Sequence, residues 1–298
     1  MEKNTKATFK KSRININSWK FISIPVILIL AFSFYPMIQA FILSFQSGKG
    51  TFIEFNGIKN YIRLFKDPVF IQAVKNTFIY LIVQVPIMLV IGLIIASMLN
   101  SSHIKYKGFF RTAIFLPCIT SLVAYSVLFK SLFSVDGIIN NFLMIINIIN
   151  EPIAWLLHPV WAKVVIILAI TWRWTGYNMM FYLAAMQNVD KSIYEAAKID
   201  GATGIQQFFK ITVPMLKPII LFTAIISTNG TVQLFDEVMN ITAGGPGNST
   251  MTISQYIYNL SFVYTPNFGY AATVSYAIVF IVAIIAVIQF KVAGDSNE

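Results

Sequence analysis

The chain has 298 residues, 57% of them hydrophobic and only 11% charged, and its mean hydropathy is +0.70. Soluble domains carry about 25% charged residues, so too few charges are present to coat a water-facing surface and lipid must cover much of it. The single cysteine, Cys118, excludes an internal disulfide and any multi-cysteine metal site, and the placement of the net charge of +10 decides what that charge is for.

A bilayer crossing takes about 20 mostly apolar residues. Six stretches meet or approach that length: 21–45, 78–99, 112–129, 164–183, 219–235 and 270–290. The expected fold is therefore an all-α integral membrane protein with six transmembrane helices. The domain expected at 21–292 is flanked by tails at 1–20 and 293–298. The first stretch follows basic residues as a secretory signal would, but its apolar run is too long and no small-x-small cleavage site follows. The run 138–149 is apolar too, but it is short and holds Asn140, Asn141 and Asn147, which predicts an interfacial helix.

Loop charges set the orientation, because Lys and Arg concentrate on the cytoplasmic side. With six spans, fourteen Lys and Arg fall on one side and four on the other, leaving flanking Lys130 and Lys163 and membrane-level Lys75 and Arg173 aside. The rich side holds the N-terminal tail, with Lys3, Lys6, Lys10, Lys11, Arg13 and Lys20, and the loops around Lys105 and Lys198. This predicts both termini in the cytoplasm. Topology and anionic headgroups account for the positive charge, and no basic stripe with interleaved aromatics points to nucleic acid.

Chemistry is sparse. No Gly-x4-Gly-Lys-Ser/Thr phosphate loop is present, and Gly244-Gly245-Pro246-Gly247 reads as a turn. His103 and His158 fall on opposite sides of the membrane, so they share no metal. Cys118 reads as a packing residue. Adjacent Asp236 and Glu237 read as a solvated end of the fifth span. Lys75 can snorkel to the interface, whereas Arg173 lies deeper. No acidic residue falls inside the expected spans, which disfavours ion-coupled transport. No catalytic residue, metal or cofactor is expected.

The loop 190–218 is the most informative. Ser192 and Glu195 have capping-box spacing, as do Thr203 and Gln206. Gly201 suits a left-handed helix end, and Pro214 ends the second helix or opens the fifth span. The loop thus encodes a helical hairpin. Ala196 and Ala197 give it a smooth surface, and Ile193, Tyr194, Phe208, Phe209 and Ile211 give it apolar anchors. The hairpin either lies on headgroups or docks another protein.

The run Glu195-Ala196-Ala197, Asp200-Gly201-Ala202, Phe208-Phe209-Lys210-Ile211, then Pro214 and Pro218, resembles the EAA loop of bacterial binding-protein-dependent ABC importers. More of the chain is similar to the carbohydrate branch of that family. These parts are Phe55-Asn56-Gly57 through Tyr61, Asp67-Pro68-Val69-Phe70, Asn76-Thr77, Phe110-Arg111-Thr112 through Pro117, and Ile241 through Pro246 with Ser249-Thr250. The resemblance implies a type I importer permease in a bacterial cell membrane. It implies that Glu195, Ala196, Ala197, Asp200 and Gly201 dock cytoplasmic ATPase subunits, which supply the hydrolysis. It also implies a second homologous permease subunit, an extracellular solute-binding protein and a sugar substrate. The extra N-terminal helices and large external domain of the maltose-type subunit have no counterpart here. Another solute such as glycerol phosphate, or a non-transporting scaffold, is the alternative.

A sugar path needs rings for the apolar sugar faces and amides or hydroxyls for its OH groups. Trp174, Tyr177 and Asn178 of the fourth span and Ser227, Asn229 and Gln233 of the fifth supply both. Thr223, Thr228 and Thr231, with Ser275 and Tyr276 of the sixth, belong to the same polar set. Polar groups at this depth face a cavity or glue helices together. Gly230 either kinks its helix or admits close packing.

Overall fold

Prolines and polar caps set most of the helix boundaries. The computed structural model describes residues 16–49, 52–101 and 104–294. Lys3, Lys6, Lys10, Lys11, Arg13, His103 and the tail 295–298 lie outside the described residues. Helix α1 begins at Ile16, inside the tail expected at 1–20, and its apolar part is Phe21–Ser44. Pro36 has no N–H and its ring crowds the carbonyl one turn back. The π-turn Leu30–Phe34 directly precedes it and widens the helix there.

A two-stranded antiparallel hairpin follows, β1 (Gln46–Lys49) and β2 (Phe52–Phe55). It corrects the all-α expectation, because four-residue strands are too short to show a period against an apolar background. Asn60, on α2 (Lys59–Leu64), donates to the carbonyls of Ser44 (3.0 Å) and Gln46 (2.8 Å) and ties the hairpin down.

Helix α3 (Pro68–Asn100) is 33 residues long, ten residues longer at its start than expected. Asp67 caps it by accepting from the Val69 and Phe70 N–H groups, and Pro68 occupies the first turn, where no N–H is needed. At 1.5 Å per residue the helix is about 50 Å long and outreaches a hydrocarbon core of about 30 Å.

The stretch 112–129 is not one straight span. Helices α4 (Lys107–Ile119) and α5 (Leu122–Leu132) meet at 98°. Pro117 removes one helical bond, Thr120 turns extended with its hydroxyl on the Pro117 carbonyl (2.7 Å), and the helix restarts after Ser121. The short helix α6 (Ile138–Ile145) ends before left-handed Asn147, so the interfacial run is shorter than 138–149. Its buried Asn140 donates to the Val135 and Ile153 carbonyls and accepts from the Trp155 indole N–H (2.8 Å).

Helix α7 (Pro159–Gln187), capped by His158, is the central element and packs on α3 and α4. Gly176 permits the second contact, since a Cβ there would stand 2.1 Å from the Ile114 carbonyl oxygen. Two helical segments, α8 (Lys191–Ile199) and α9 (Gly204–Met215), form the expected hairpin. Helix α10 (Lys217–Val232) then leaves α9 at 69°. The break lies at Leu216, with Pro218 in the next first turn. Pro214 sits earlier, beside a π-turn, and does not itself end the helix. Short helices α11 (Asp236–Ile241) and α12 (Ile253–Tyr258) precede α13 (Phe268–Gly294).

Among the described residues, three helices are long and apolar enough to cross a membrane, and up to five if each bent pair is one span. Helix α7 carries Lys163 and Arg173 and falls outside that set. The chain is a multi-pass membrane protein.

The N-terminal end of α3 carries a polar scaffold. Asp67 Oδ2 accepts from Tyr256 (2.5 Å) and Tyr270 (2.6 Å), and the Arg63 guanidinium lies 4.0 Å over the Tyr270 ring. Asn76 donates to the Asn248 and Met251 carbonyls, and Tyr80 to the Thr250 carbonyl. These bonds fasten the Gly-Gly-Pro loop, whose Ala243, Gly244, Gly247 and Asn248 are left-handed, onto α3. The turn expected at 244–247 is present.

Candidate functional site

A cavity of 420 Å³ opens between α3, α7, α10 and α11, within the roughly 300–1,000 Å³ of small-molecule sites. Of the six residues expected on a solute path, Trp174, Tyr177, Asn178, Ser227 and Gln233 line it. The two rings stand edge to face, 5.9 Å apart at 90°. Asn178 is 1% exposed, and its Oδ1 has no hydrogen-bond partner among the described residues. Asn229 does not line the cavity; it is exposed and accepts from the Gln233 amide at 2.7 Å. The shared face expected for these two residues is therefore present, with Asn229 orienting Gln233 from behind.

The rest of the polar set joins helices, except Ser275, whose hydroxyl donates to the Ala271 carbonyl of its own helix. Thr223 bonds Tyr182 (2.7 Å), the Gln289 amide donates to Thr228 (2.9 Å), and Thr231 donates to Gln84 Oε1 (3.1 Å). Tyr276 donates to the Met37 carbonyl (2.7 Å). Gly230 also lines the cavity. Nothing lies within 4 Å of where its Cβ would stand and α10 runs through it unbroken, so it neither kinks the helix nor admits packing.

The acidic pair corrects its expected role. Glu237 is 5% exposed and lines the cavity, so it is not a solvated span end, while Asp236 beside it is exposed. The chain leaves α10 after Val232 and α11 folds back against α5, which turns Glu237 inward. Gln84, 0% exposed, also lines the cavity and is absent from the expected path. Its only signal in the sequence is an amide in the middle of an apolar span.

The α8–α9 hairpin presents a different surface. Glu195, Ala196, Asp200 and Gly201 are exposed and Ala197 is half-buried; no residue of α8 is buried. The N-cap of α8 is Asp190, accepting from Ser192 N–H (2.9 Å), not Ser192 as the spacing suggests. The second capping box, Thr203 with Gln206, is present, and Gly201 has the expected left-handed φ of +80°. Tyr194 bonds Thr212 (3.1 Å) and holds the two arms together. Ile199 (87% exposed) and Ile205 (73%) lie bare on the turn between the arms. A hollow of 430 Å³ lies between Asp200, Gly201, Gln207 and Lys210.

Bilayer-length helices, a cavity between them with a few polar groups in a largely apolar wall, and an exposed helical hairpin are the parts of a solute-conducting membrane subunit. Residues 70–293 match the model of the family described as binding-protein-dependent transport system inner membrane component, and the chain belongs to that family. It is 58% identical over 254 residues to the lactose transport system permease protein LacF of Rhizobium radiobacter, covering 85% of each chain. It is 39% identical over 236 residues to the arabinooligosaccharides transport system permease protein AraP of Halalkalibacterium halodurans, covering 78% of this chain and 74% of that one. Its fold matches a chain in the crystal structure of a bacterial ABC transporter involved in the import of the acidic polysaccharide alginate. That match has a TM-score of 0.83 at 24% identity and covers 95% of this chain and 98% of the other.

Proposed function

We propose that this chain is one half of a sugar-conducting channel, powered by separate ATPase subunits and fed by an extracellular binding protein. In this reading it crosses the membrane six times, counting α4–α5 as one bent span, α7 as the buried central one and α10, beyond its 69° bend from α9, as the fifth. Both termini are cytoplasmic, as is the α8–α9 hairpin, which docks the ATPase through Glu195, Ala196, Ala197, Asp200 and Gly201. The solute passes the cavity between α7 and α10. Burial supports counting α7 as a span, since Arg173 is covered by protein and lipid never meets it. The observation that carries the reading is the convergence of Trp174, Tyr177, Asn178, Ser227 and Gln233 on one cavity. Rings for apolar sugar faces stand beside amides and a hydroxyl for its OH groups. Two relatives named for lactose and arabino-oligosaccharide transport make a short saccharide the favoured cargo.

The test is reconstitution with the partner permease, ATPase and binding protein in proteoliposomes. ATP-dependent lactose uptake is the expected result. ATP hydrolysis stimulated by the binding protein without uptake of lactose or arabino-oligosaccharide would sink the sugar reading.

A further inference from the structure

The cavity contains a charge arrangement that the rings and amides of the solute path leave unused. Glu237 on α11 is 5% exposed and lines the cavity. A buried carboxylate is tolerated as an ion only with a counter-charge. Arg173 on α7 is 8% exposed and within electrostatic reach of it. The guanidinium lies 4.6 Å over the ring of Tyr125 on α5, and its Nε and Nη1 make no hydrogen bond among the described residues. Glu237 thus faces the cavity, while Arg173 and Tyr125 stand outside its lining and near it. Asn178, almost fully buried, adds an acceptor with no partner on the same wall.

We propose that Glu237 is a specificity-determining residue whose two carboxyl oxygens hydrogen-bond two neighbouring sugar hydroxyls, with Arg173 as a positioning residue that acts on it from nearby. The inference rests on the sugar-transport reading. A carboxyl group presents two oxygens side by side, which suits a diol with one O–H on each of two adjacent carbons. Trp174 and Tyr177 offer the sugar faces from the same cavity lining, and Asn178 Oδ1 takes a third hydroxyl. Exposed Asp236 on the same wall disfavours an acidic sugar, so the favoured substrate is neutral.

The experiment compares initial uptake of lactose with that of the monodeoxy lactoses, each lacking one hydroxyl, in proteoliposomes of the complete complex. The parental complex is expected to prefer lactose about tenfold over two analogues whose missing hydroxyls are neighbours. Glu237→Gln should slow lactose about tenfold and no longer separate it from those two. Arg173→Gln should do the same, and Arg173→Lys should restore part of the preference. A purely structural role would lower all rates together and leave the ratios intact. Unchanged ratios in Glu237→Gln overturn the inference. So does failure of that near-isosteric variant to co-purify with the ATPase, since Glu237 is then a helix tie. Unchanged ratios in Arg173→Gln, or an assembly defect that Arg173→Lys does not repair, remove the role of Arg173. No lactose uptake by the parental complex is a different failure: it sinks the transport reading and this inference with it.

Discussion

The clearest division of labour among single residues is on α10. Side chains of similar polarity there serve opposite ends. Thr223, Thr228 and Thr231 spend their hydrogen bonds on Tyr182, Gln289 and Gln84, while Ser227 and Gln233 face open space. Removing one hydrogen bond to a bound sugar costs about 0.5–1.5 kcal/mol. Gln233→Ala is therefore expected to lower initial lactose uptake by about two- to tenfold, with Asn229→Ala milder because Asn229 only orients its neighbour. Co-purification with the ATPase should be unchanged in both, and uptake at the parental rate in both would assign them to packing. Asp67 makes a contrasting prediction. Burial alone raises its pKa, but the hydrogen bonds from Tyr256, Tyr270 and the Phe70 and Val69 amides outweigh burial and hold the carboxyl below its ordinary value. A depressed carboxylate stabilises the fold above its unfolded pKa, and the contribution fades as pH falls through the folded value. Asp67→Asn should cost about 1–3 kcal/mol near neutral pH. The gap from the parental protein should narrow in thermal unfolding below about pH 4. A gap that stays constant down to pH 3 would contradict this.

At the scale of elements, hydropathy locates the helices and local chemistry decides their ends. The stretch 78–99 is visible as apolar residues, but the extension of α3 back to Pro68 depends on an Asp-Pro cap outside the apolar window. The bend at Thr120 is hidden because Thr and Ser barely interrupt hydropathy, whereas Pro117 hints at it. Glu237 misleads for a related reason. Its neighbours Phe235 and Asp236 look like an exit from lipid, and nothing local reports that α11 folds back against α5. The α8–α9 hairpin is more legible because its signals are short-range, a capping box and a glycine. Gly201 at φ +80° has no atom within 4 Å of the place a Cβ would take, so the space is free and the strain is conformational. Gly201→Asp forces a side chain into the left-handed region and adds a charge to an exposed surface. Under the docking reading, ATP-driven uptake should fall more than tenfold while the permease still inserts. Uptake at the parental rate would show that α8 merely lies on the headgroups.

For the whole molecule, arrangement in the membrane turns on the sidedness of the hairpin and the Gly-Gly-Pro loop. Loop charge favours the hairpin inside. With Cys118 replaced by Ser, a cysteine at exposed Thr265 should react with an impermeant maleimide in intact cells, and one at Ile205 should react only after permeabilisation. The opposite pattern would invert the topology.

Helix α1 is exposed along almost all of its apolar length, and α13 provides its main anchorage at one end. The Ser44 carbonyl receives Thr273, 229 residues away, and the Met37 carbonyl receives Tyr276, 239 residues away. At synthesis rates of about 5–20 residues per second, α1 waits on the order of 10–50 s in the bilayer before those partners leave the ribosome. During that interval lipid alone, or the insertion machinery, must shelter it. A ribosome that stalls before α13 would release a chain whose first helix is inserted but unclaimed, a natural substrate for membrane proteases. The assembly of this permease is thus gated by its own translation, with α1 holding a place that only α13 can fill.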